Sequence, residues 1–204
     1  MEEYIVLVDE NNQETGYGEK IDTHRKGILH RAFSIFVYDL ENKKVLMQHR
    51  AAGKYHSGNC WSNSCCSHQR KGETLPQSLA RCIQDELGVE SINKEVVFDI
   101  EEDSFAYHCG IFHYYAPYET LSEHEMDNVF LYCVGKGNNE TFPLENIPFN
   151  PEEIQDLKWI SVEELDAWLE KSPEAFSAWF SRAYALARKK IVEIEKEGKN
   201  IIYQ

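Results

Sequence analysis

Tyr4-Ile5-Val6-Leu7-Val8 is a short β-branched run that stops at the polar stretch Asp9-Glu10-Asn11-Asn12, the pattern of a strand entering a turn. Residues 33–38 and 45–48 form two more apolar runs around Asp39-Leu40-Glu41-Asn42-Lys43-Lys44, which predicts an antiparallel hairpin with a somewhat long loop. The period then changes from two to that of a helix. Leu79, Ile83 and Leu87 recur one turn apart, Thr74 and Gln77 stand at capping-box spacing, and Gly88 sits where a left-handed residue ends a helix, so a helix is predicted over 75–87. Strand patterns return at 96–100, 112–118, 129–134 and 157–160, with 135–139 as a glycine-containing loop. Ser161 and Glu164 repeat the capping box for a short helix through Leu169. Pro173 after Ser172 predicts the start of a last helix, whose apolar face would be Phe176, Trp179, Phe180, Ala183, Ala187, Ile191 and Ile194. With no internal repeat and no Pro/Gly-rich linker, strands interspersed with helices predict one α+β domain over residues 1–204, a mixed sheet lying between helices.

Composition narrows the function classes. A chain of 204 residues can bury roughly 70% of its unfolded surface, enough for one sizeable core. Net charge is −14, which argues against a nucleic-acid partner and means that an anionic ligand would need local cations or bound metal. No apolar run approaches the roughly 20 residues of a membrane span, and the acidic start Met1-Glu2-Glu3 lacks the layout of a signal peptide, so a soluble, cytoplasmic protein without a membrane partner is expected. The six cysteines, at 60, 65, 66, 82, 109 and 133, include no CxxC pair. A disulfide framework or tetrathiolate zinc site is therefore not expected, and Cys82, Cys109 and Cys133 read as small buried hydrophobes.

Chemistry concentrates in Cys60-Trp61-Ser62-Asn63-Ser64-Cys65-Cys66-Ser67-His68, a polar, thiol-rich run. Successive side chains of an extended segment point to opposite sides, so Cys66 rather than Cys65 shares a face with His68. His24, His30 and His68 occupy loop-like or segment-edge positions, and Glu123 and Glu125 would share one face of an extended segment. A mixed imidazole and carboxylate set suits a divalent transition metal, although spacing alone more often means separate solvated side chains. His49, His56, His108, His113 and His124 read as surface residues. Around the helix over 75–87, Glu73, Arg81, Asp85 and Glu86 follow a glycine-containing loop, a pattern that can hold Mg²⁺ against phosphate oxygens. Glu86 lies one turn past Cys82, next to the apolar stripe, and is expected to look inward.

That helix resembles the signature helix of Nudix proteins, which falls here on Ser67, Glu73, Arg81, Cys82, Asp85, Glu86 and Gly88. Two positions depart: Ser67 stands for a glycine, and Cys82 for the first glutamate of the acidic cluster. From about residue 4 to about 188, the chain resembles the type I isopentenyl diphosphate isomerases. The resemblance runs through His24, His30-Arg31-Ala32-Phe33, Gln48-His49-Arg50, the run from Trp61 to His68, Glu86-Leu87-Gly88, Glu123-His124-Glu125 and Phe176-Ser177-Ala178-Trp179. It implies a Nudix-type α/β/α sandwich and an isoprenoid-pathway enzyme that moves a double bond between isopentenyl and dimethylallyl diphosphate. It also implies that His24, His30, His68, Glu123 and Glu125 ligate one divalent metal, Mn²⁺, Zn²⁺ or Mg²⁺, and that Glu86 holds a second ion, Mg²⁺, against the diphosphate. Cys66 and Glu125 would be the catalytic pair on opposite faces of the substrate, with Tyr114 assisting at the carboxylate and Trp179 facing the reacting carbons. Lys20, Arg50 and Lys54 match diphosphate contacts.

The expected partner is a small-molecule prenyl diphosphate, and the expected state a monomer or homodimer. Further departures are Arg81-Cys82, where the family carries two arginines, and Gln69 and Ala178, which replace prolines. Two other readings stay open at this level: a Nudix hydrolase of a diphosphate substrate, and a non-catalytic binder of prenyl diphosphates.

Overall fold

The structure is a computed structural model that describes residues 2–54, 56–89, 106–135 and 142–201, with side chains as far as 197. The strand expected over 96–100 and nearly all of the loop expected over 135–139 lie outside the described residues. In chain order the elements are β1 (Tyr4–Val8), β2 (Glu14–Glu19), α1 (Lys20–Lys26), β3 (His30–Asp39), β4 (Lys44–Arg50), β5 (Trp61–Ser62) and β6 (Cys65–His68). There follow α2 (Leu75–Leu87), β7 (Ala106–Pro117), β8 (Ser122–Val134), β9 (Ile154–Ser161), α3 (Val162–Lys171), a 3-10 turn (Pro173–Ala175) and α4 (Phe180–Ile201).

β3 is the hub of the sheet. One edge pairs in parallel with β8 along its whole length, from His30 opposite Glu125 to Asp39 opposite Val134. The other edge is shared: β6 pairs antiparallel with residues 32–35 and β4 with residues 37–39. A strand paired on both edges and covered on both faces reads as a nearly continuous apolar run, as β3 does. Its alternate side chains divide two cores. Phe33, Ile35 and Val37 pack with Leu79, Ile83 and Leu87 of α2, whereas Phe36 and Tyr38 pack with Phe180, Ala183 and Ala187 of α4. Helices therefore cover both faces of a mixed sheet, the α/β/α layering expected for an α+β Nudix fold.

α2 forms where the sequence places it, with Thr74 and Gln77 making the reciprocal capping box. Gly88 ends it at φ 67°, and a Cβ there would lie 2.2 Å from the Pro148 carbonyl oxygen, so only glycine fits. The capping box of α3 at Ser161 and Glu164 is present too.

Three expectations need correction. β2 and α1 leave no periodic signature: β2 is Glu-Thr-Gly-Tyr-Gly-Glu, held by its pairing with β1, and α1 is seven residues long and buries only Thr23 and His24. Its first amides are capped by the Glu19 carboxylate. The last helix begins at Phe180 rather than at Pro173, because the backbone before it is extended and pairs with β5. Phe176 has φ −108° and ψ 158°, and the Ser177 N–H donates to the Trp61 carbonyl at 2.9 Å. Phe176 and Trp179 thus belong to the connection, not to the helix. Finally, Cys109 is only half-buried, although Cys82 and Cys133 are in the core, and all six cysteines are in the thiol form.

Candidate active site

Three strand registers bring the chemistry-bearing side chains to one face. Residue alternation along β8 puts Glu123, Glu125 and Asp127 on the side that carries Val129, Leu131 and Cys133 further along. Across β8, Glu125 is opposite His30 of β3 and opposite Tyr114 of β7. Across β3, Ala32 is opposite His68 and Ser34 opposite Cys66. Cys65 points the other way and is fully buried in the core beneath α2, with Leu79 and Cys82.

At the end of this face His24, His30, His68, Glu123 and Glu125 each offer a ligand atom within 4.8 Å of the others. His24 is on α1, not in a loop; His30 and His68 are at the ends of their strands. The Nδ1 atoms of His24 and His30 sit 2.6 and 2.8 Å from the Lys20 and Ile28 carbonyl oxygens. A carbonyl only accepts, so both Nδ1 atoms carry a proton, and both Nε2 atoms face the carboxylates. The Nε2 of His30 is buried without a hydrogen-bond partner. His24 Nε2 is 3.6 Å from Glu123 Oε1, and the Nε2 atoms of His30 and His68 are 3.4 and 3.0 Å from Glu125 Oε1. Buried imidazoles held in one tautomer by backbone carbonyls, facing two carboxylates, form a donor set that fits a divalent transition metal.

The protonation states follow from burial and neighbours. Burial pushes His24 down, and it pushes His68 well down with help from His30 and His24. Burial also acts to raise Glu125, but its contacts with Glu123, His30 and Tyr114, and the charge on His30, which Glu125 raises against burial, hold it at about 2. Tyr114 Oη donates to Glu125 Oε2 at 2.7 Å, and burial with the Glu125 charge keeps that phenol neutral.

A cavity of about 350 Å³ is lined by His68, Glu123 and Glu125 of this cluster and, further along, by Cys66, Arg50 and Trp179. There Cys66 Sγ lies 3.7 Å from Arg50 Nη1. Burial pushes the thiol well up, outweighing the pull of Arg50. Arg50 Cζ stands 5.0 Å from the centre of the Trp179 ring, whose Nε1 donates to Asn63 Oδ1 at 3.0 Å. That bond fixes the indole with its face, not its N–H, toward the cavity wall. At the helix side Glu86 is buried, within 3.3 Å of Gln48 Nε2 and 3.4 Å of Cys82 Sγ. Burial and Glu153 push its carboxyl up to about 7 against Lys54 and Arg50.

Of the residues singled out by sequence, Lys20, Arg50, Lys54, Cys66, His68, Glu86, Tyr114, Glu123, Glu125 and Trp179 line this one cavity. His24 and His30, both fully buried, lie behind it. Three of the cavity's cations are already engaged: Lys54 pairs with Glu153, Arg81 with Glu73 at 2.7 Å, and Lys20 with Glu3 at 3.5 Å. Sequence reasoning missed three cavity residues. His56, expected at the surface, is buried with Nε2 2.5 Å from Glu123 Oε1; it comes from a loop with no periodicity and gave no signal. Asp127 continues the period-two series Glu123, Glu125, which could have found it. It accepts from Ser34 Oγ at 2.8 Å, leaves Oδ1 buried without a partner, and is pushed well up by burial and Glu125. Glu153 reaches the cavity from the loop before β9.

Comparison with known proteins places this geometry. Residues 28–180 match the NUDIX domain family model. A protein of Photobacterium profundum named isopentenyl-diphosphate Delta-isomerase is 40% identical over 182 residues, covering 88% of this chain and 91% of the relative. One of Aromatoleum aromaticum named isopentenyl-diphosphate Delta-isomerase 2 is 37% identical over 181 residues, covering 89% and 84%. Among solved structures, the crystal structure of DR0079 from Deinococcus radiodurans superposes with a TM-score of 0.61 at 21% identity, covering 91% of this chain and 98% of that one, a likeness of fold.

Proposed function

The chain belongs to the NUDIX family and, within it, to the isopentenyl-diphosphate Delta-isomerases, and from that premise we propose how its residues share the reaction. The activity is the interconversion of isopentenyl and dimethylallyl diphosphate, a double-bond shift that serves isoprenoid biosynthesis. An unactivated alkene has no acidic proton. The feasible path protonates the terminal carbon and removes a proton from the other side of the resulting tertiary cation, which requires an acid and a base on opposite walls.

Cys66 and Glu125 are those two groups. Among the protein groups alone, the labile proton of the pair rests on the thiol, since Cys66 is raised and Glu125 lowered. Each group exchanges roles when the reaction runs backward. Tyr114 occupies Glu125 Oε2 and His68 approaches Oε1, so the carboxylate is held in one orientation toward the cavity. Trp179 presents its ring to the cationic carbon, a contribution of about 2 kcal/mol when desolvated, without a nucleophile that would trap it. Lys20, Arg50 and Lys54 receive the diphosphate, whose binding energy positions the small apolar tail.

His24, His30, His68, Glu123 and Glu125 would hold one divalent metal, Mn²⁺, Zn²⁺ or Mg²⁺, and Glu86 would hold Mg²⁺. Bound cations would supply positive charge that anchors the Glu125 carboxylate and neutralises the diphosphate. No helix among the described residues is long and apolar enough to cross a membrane. One domain working in the cytoplasm as a monomer or homodimer is part of the proposal.

The observation that carries this reading is a single cavity lined by Glu125, Tyr114, Cys66, Arg50 and Trp179. Incubation with isopentenyl diphosphate and Mg²⁺ in D₂O tests it. Deuterium-labelled dimethylallyl diphosphate without free phosphate is the expected result; phosphate release without isomer would mean hydrolysis, and binding without either product a carrier.

A further inference from the structure

The strand that points Glu123 and Glu125 into the buried cluster points His124 to the opposite face. There, across the β7–β8 ladder, Tyr115 is opposite His124 and His113 is opposite Met126, so His113 and His124 are diagonal neighbours on one outer face. Their Nε2 atoms lie 3.0 Å apart, with ring centroids 5.1 Å apart, almost head to head. His124 Nδ1 is 2.8 Å from the Gly27 carbonyl oxygen, which makes Nδ1 the protonated nitrogen and Nε2 a lone pair. His113 is exposed, and its partner is half-buried, so the gap between the two nitrogens is open to solvent.

We propose that His113 and His124 form a surface site for a divalent transition metal, separate from the buried cluster on the other side of the sheet. Two nitrogens 3.0 Å apart, each bonded to a shared cation at about 2.0–2.1 Å, subtend about 90° at the ion. That is the cis angle of square-planar and tetragonal Cu²⁺ and Ni²⁺, whereas a tetrahedral ion wants the nitrogens further apart. Cu²⁺ and Ni²⁺ also stand high in the affinity order for imidazole. The ion takes the place of the hydrogen between the two facing nitrogens as His113 passes to its Nδ1–H tautomer, the rings pivot by a few tenths of an ångström, and water fills the remaining positions. The frame is already stiff: both histidines sit on adjacent antiparallel strands, His124 is pinned to the turn that ends α1, and Arg182 donates to the His113 carbonyl at 3.2 Å. A net charge of −14 favours capture of a cation from solution.

Chromatography of the untagged full chain on immobilised Ni²⁺ separates this site from the buried one, because a resin-bound chelate reaches only surface imidazoles. Wild-type protein is expected to be retained and to elute with imidazole. His113→Asn is expected to pass through, and His108→Asn, which removes another exposed imidazole on β7, to elute as wild type does. Isomerase activity of the His113→Asn fraction, expected within about twofold of wild type, reports that the variant is folded. Retention of His113→Asn equal to wild type, passage of the wild type through the column, or equal loss with His108→Asn would each overturn the proposal. Loss of activity together with retention would overturn it as well, since the change would then act through the fold.

Discussion

The two ends of the cavity are built from different material. The hydrocarbon end is made by strands: Glu125, Tyr114, Cys66 and His68 are set by the registers of β3, β6, β7 and β8, and the Glu125 carboxylate is oriented by Tyr114 and His68. The diphosphate end draws on α2, loops, the start of α1 and the end of β4, and several of its groups are committed elsewhere or only partly charged. Arg81 is held by Glu73, Lys54 by Glu153, and Glu86 is pushed up to about 7. The departures from the family pattern fall on both: Cys82, where an arginine is usual, lies on α2, and Ser67, where the Nudix signature has a glycine, lies on β6. A strand register fixes several side chains at once and tolerates little change; a helix face presents each side chain separately, so one can be exchanged without displacing the others. Strand-side variants should therefore lower kcat, and helix-side variants should alter KM.

The sharpest break is expected from Cys66→Ala, which removes one of the two proton-transfer groups and should cost on the order of 10³-fold in kcat. Cys65→Ala, one residue away but in the other core, should keep kcat within about twofold and lose only about 1 kcal/mol of stability. Deuterium incorporation measures both, and a dead Cys65 variant with an active Cys66 variant would reverse the assignment of the walls. Tyr114→Phe removes a 2.7 Å bond to a buried carboxylate, a charge-assisted interaction whose loss of about 2 kcal/mol corresponds to about 30-fold in kcat. Steady-state kinetics at saturating substrate would show it, and an unchanged kcat would mean that Glu125 needs no phenol. Trp179→Leu keeps the apolar volume but not the ring face and should cost about 20-fold in kcat. If KM rises instead, the indole binds ground-state substrate rather than the cation.

On the helix side, Cys82→Arg restores the second cation of the diphosphate wall. KM for isopentenyl diphosphate should fall by about threefold to tenfold with kcat unchanged. A rise in KM would mean that the cavity has repacked around the thiol. The smallest effect belongs to Thr74→Ala, which breaks the capping box of α2: stability should drop by about 1 kcal/mol in denaturant titration, with kinetics unaltered.

The parts that were legible before the fold was known are those governed by local rules. Both ends of α2 were readable because a capping box and a C-terminal glycine act within four residues. Strand alternation separated Cys66 from Cys65 for the same reason, as it turns on adjacent side chains. The last helix was misjudged at Pro173 because the sequence around Phe176 and Trp179 is equally apolar in either conformation. What keeps it extended is a bond from Ser177 to Trp61, more than a hundred residues earlier. α1 and β2 escaped notice because neither buries enough apolar surface to leave a period.

Within the site the same boundary holds. The sequence by itself determined which residue types were present, which neighbours share a face, and, through resemblance, which ordered set of motifs they compose. Only the tertiary structure decided that His56 sits 2.5 Å from Glu123, that Asp127 is buried in the same cavity, and that Arg50 lies over the Trp179 ring. Each of these depends on segments distant in the chain being brought together, and on the desolvation that follows. Burial acts to raise both carboxyls; the neighbours around Glu125 overcome it and hold that group at about 2, whereas Glu86 rises to about 7. The two side chains are chemically identical in the sequence; their surroundings, which exist only in the folded chain, make one a charged partner and the other a half-protonated acid near neutrality.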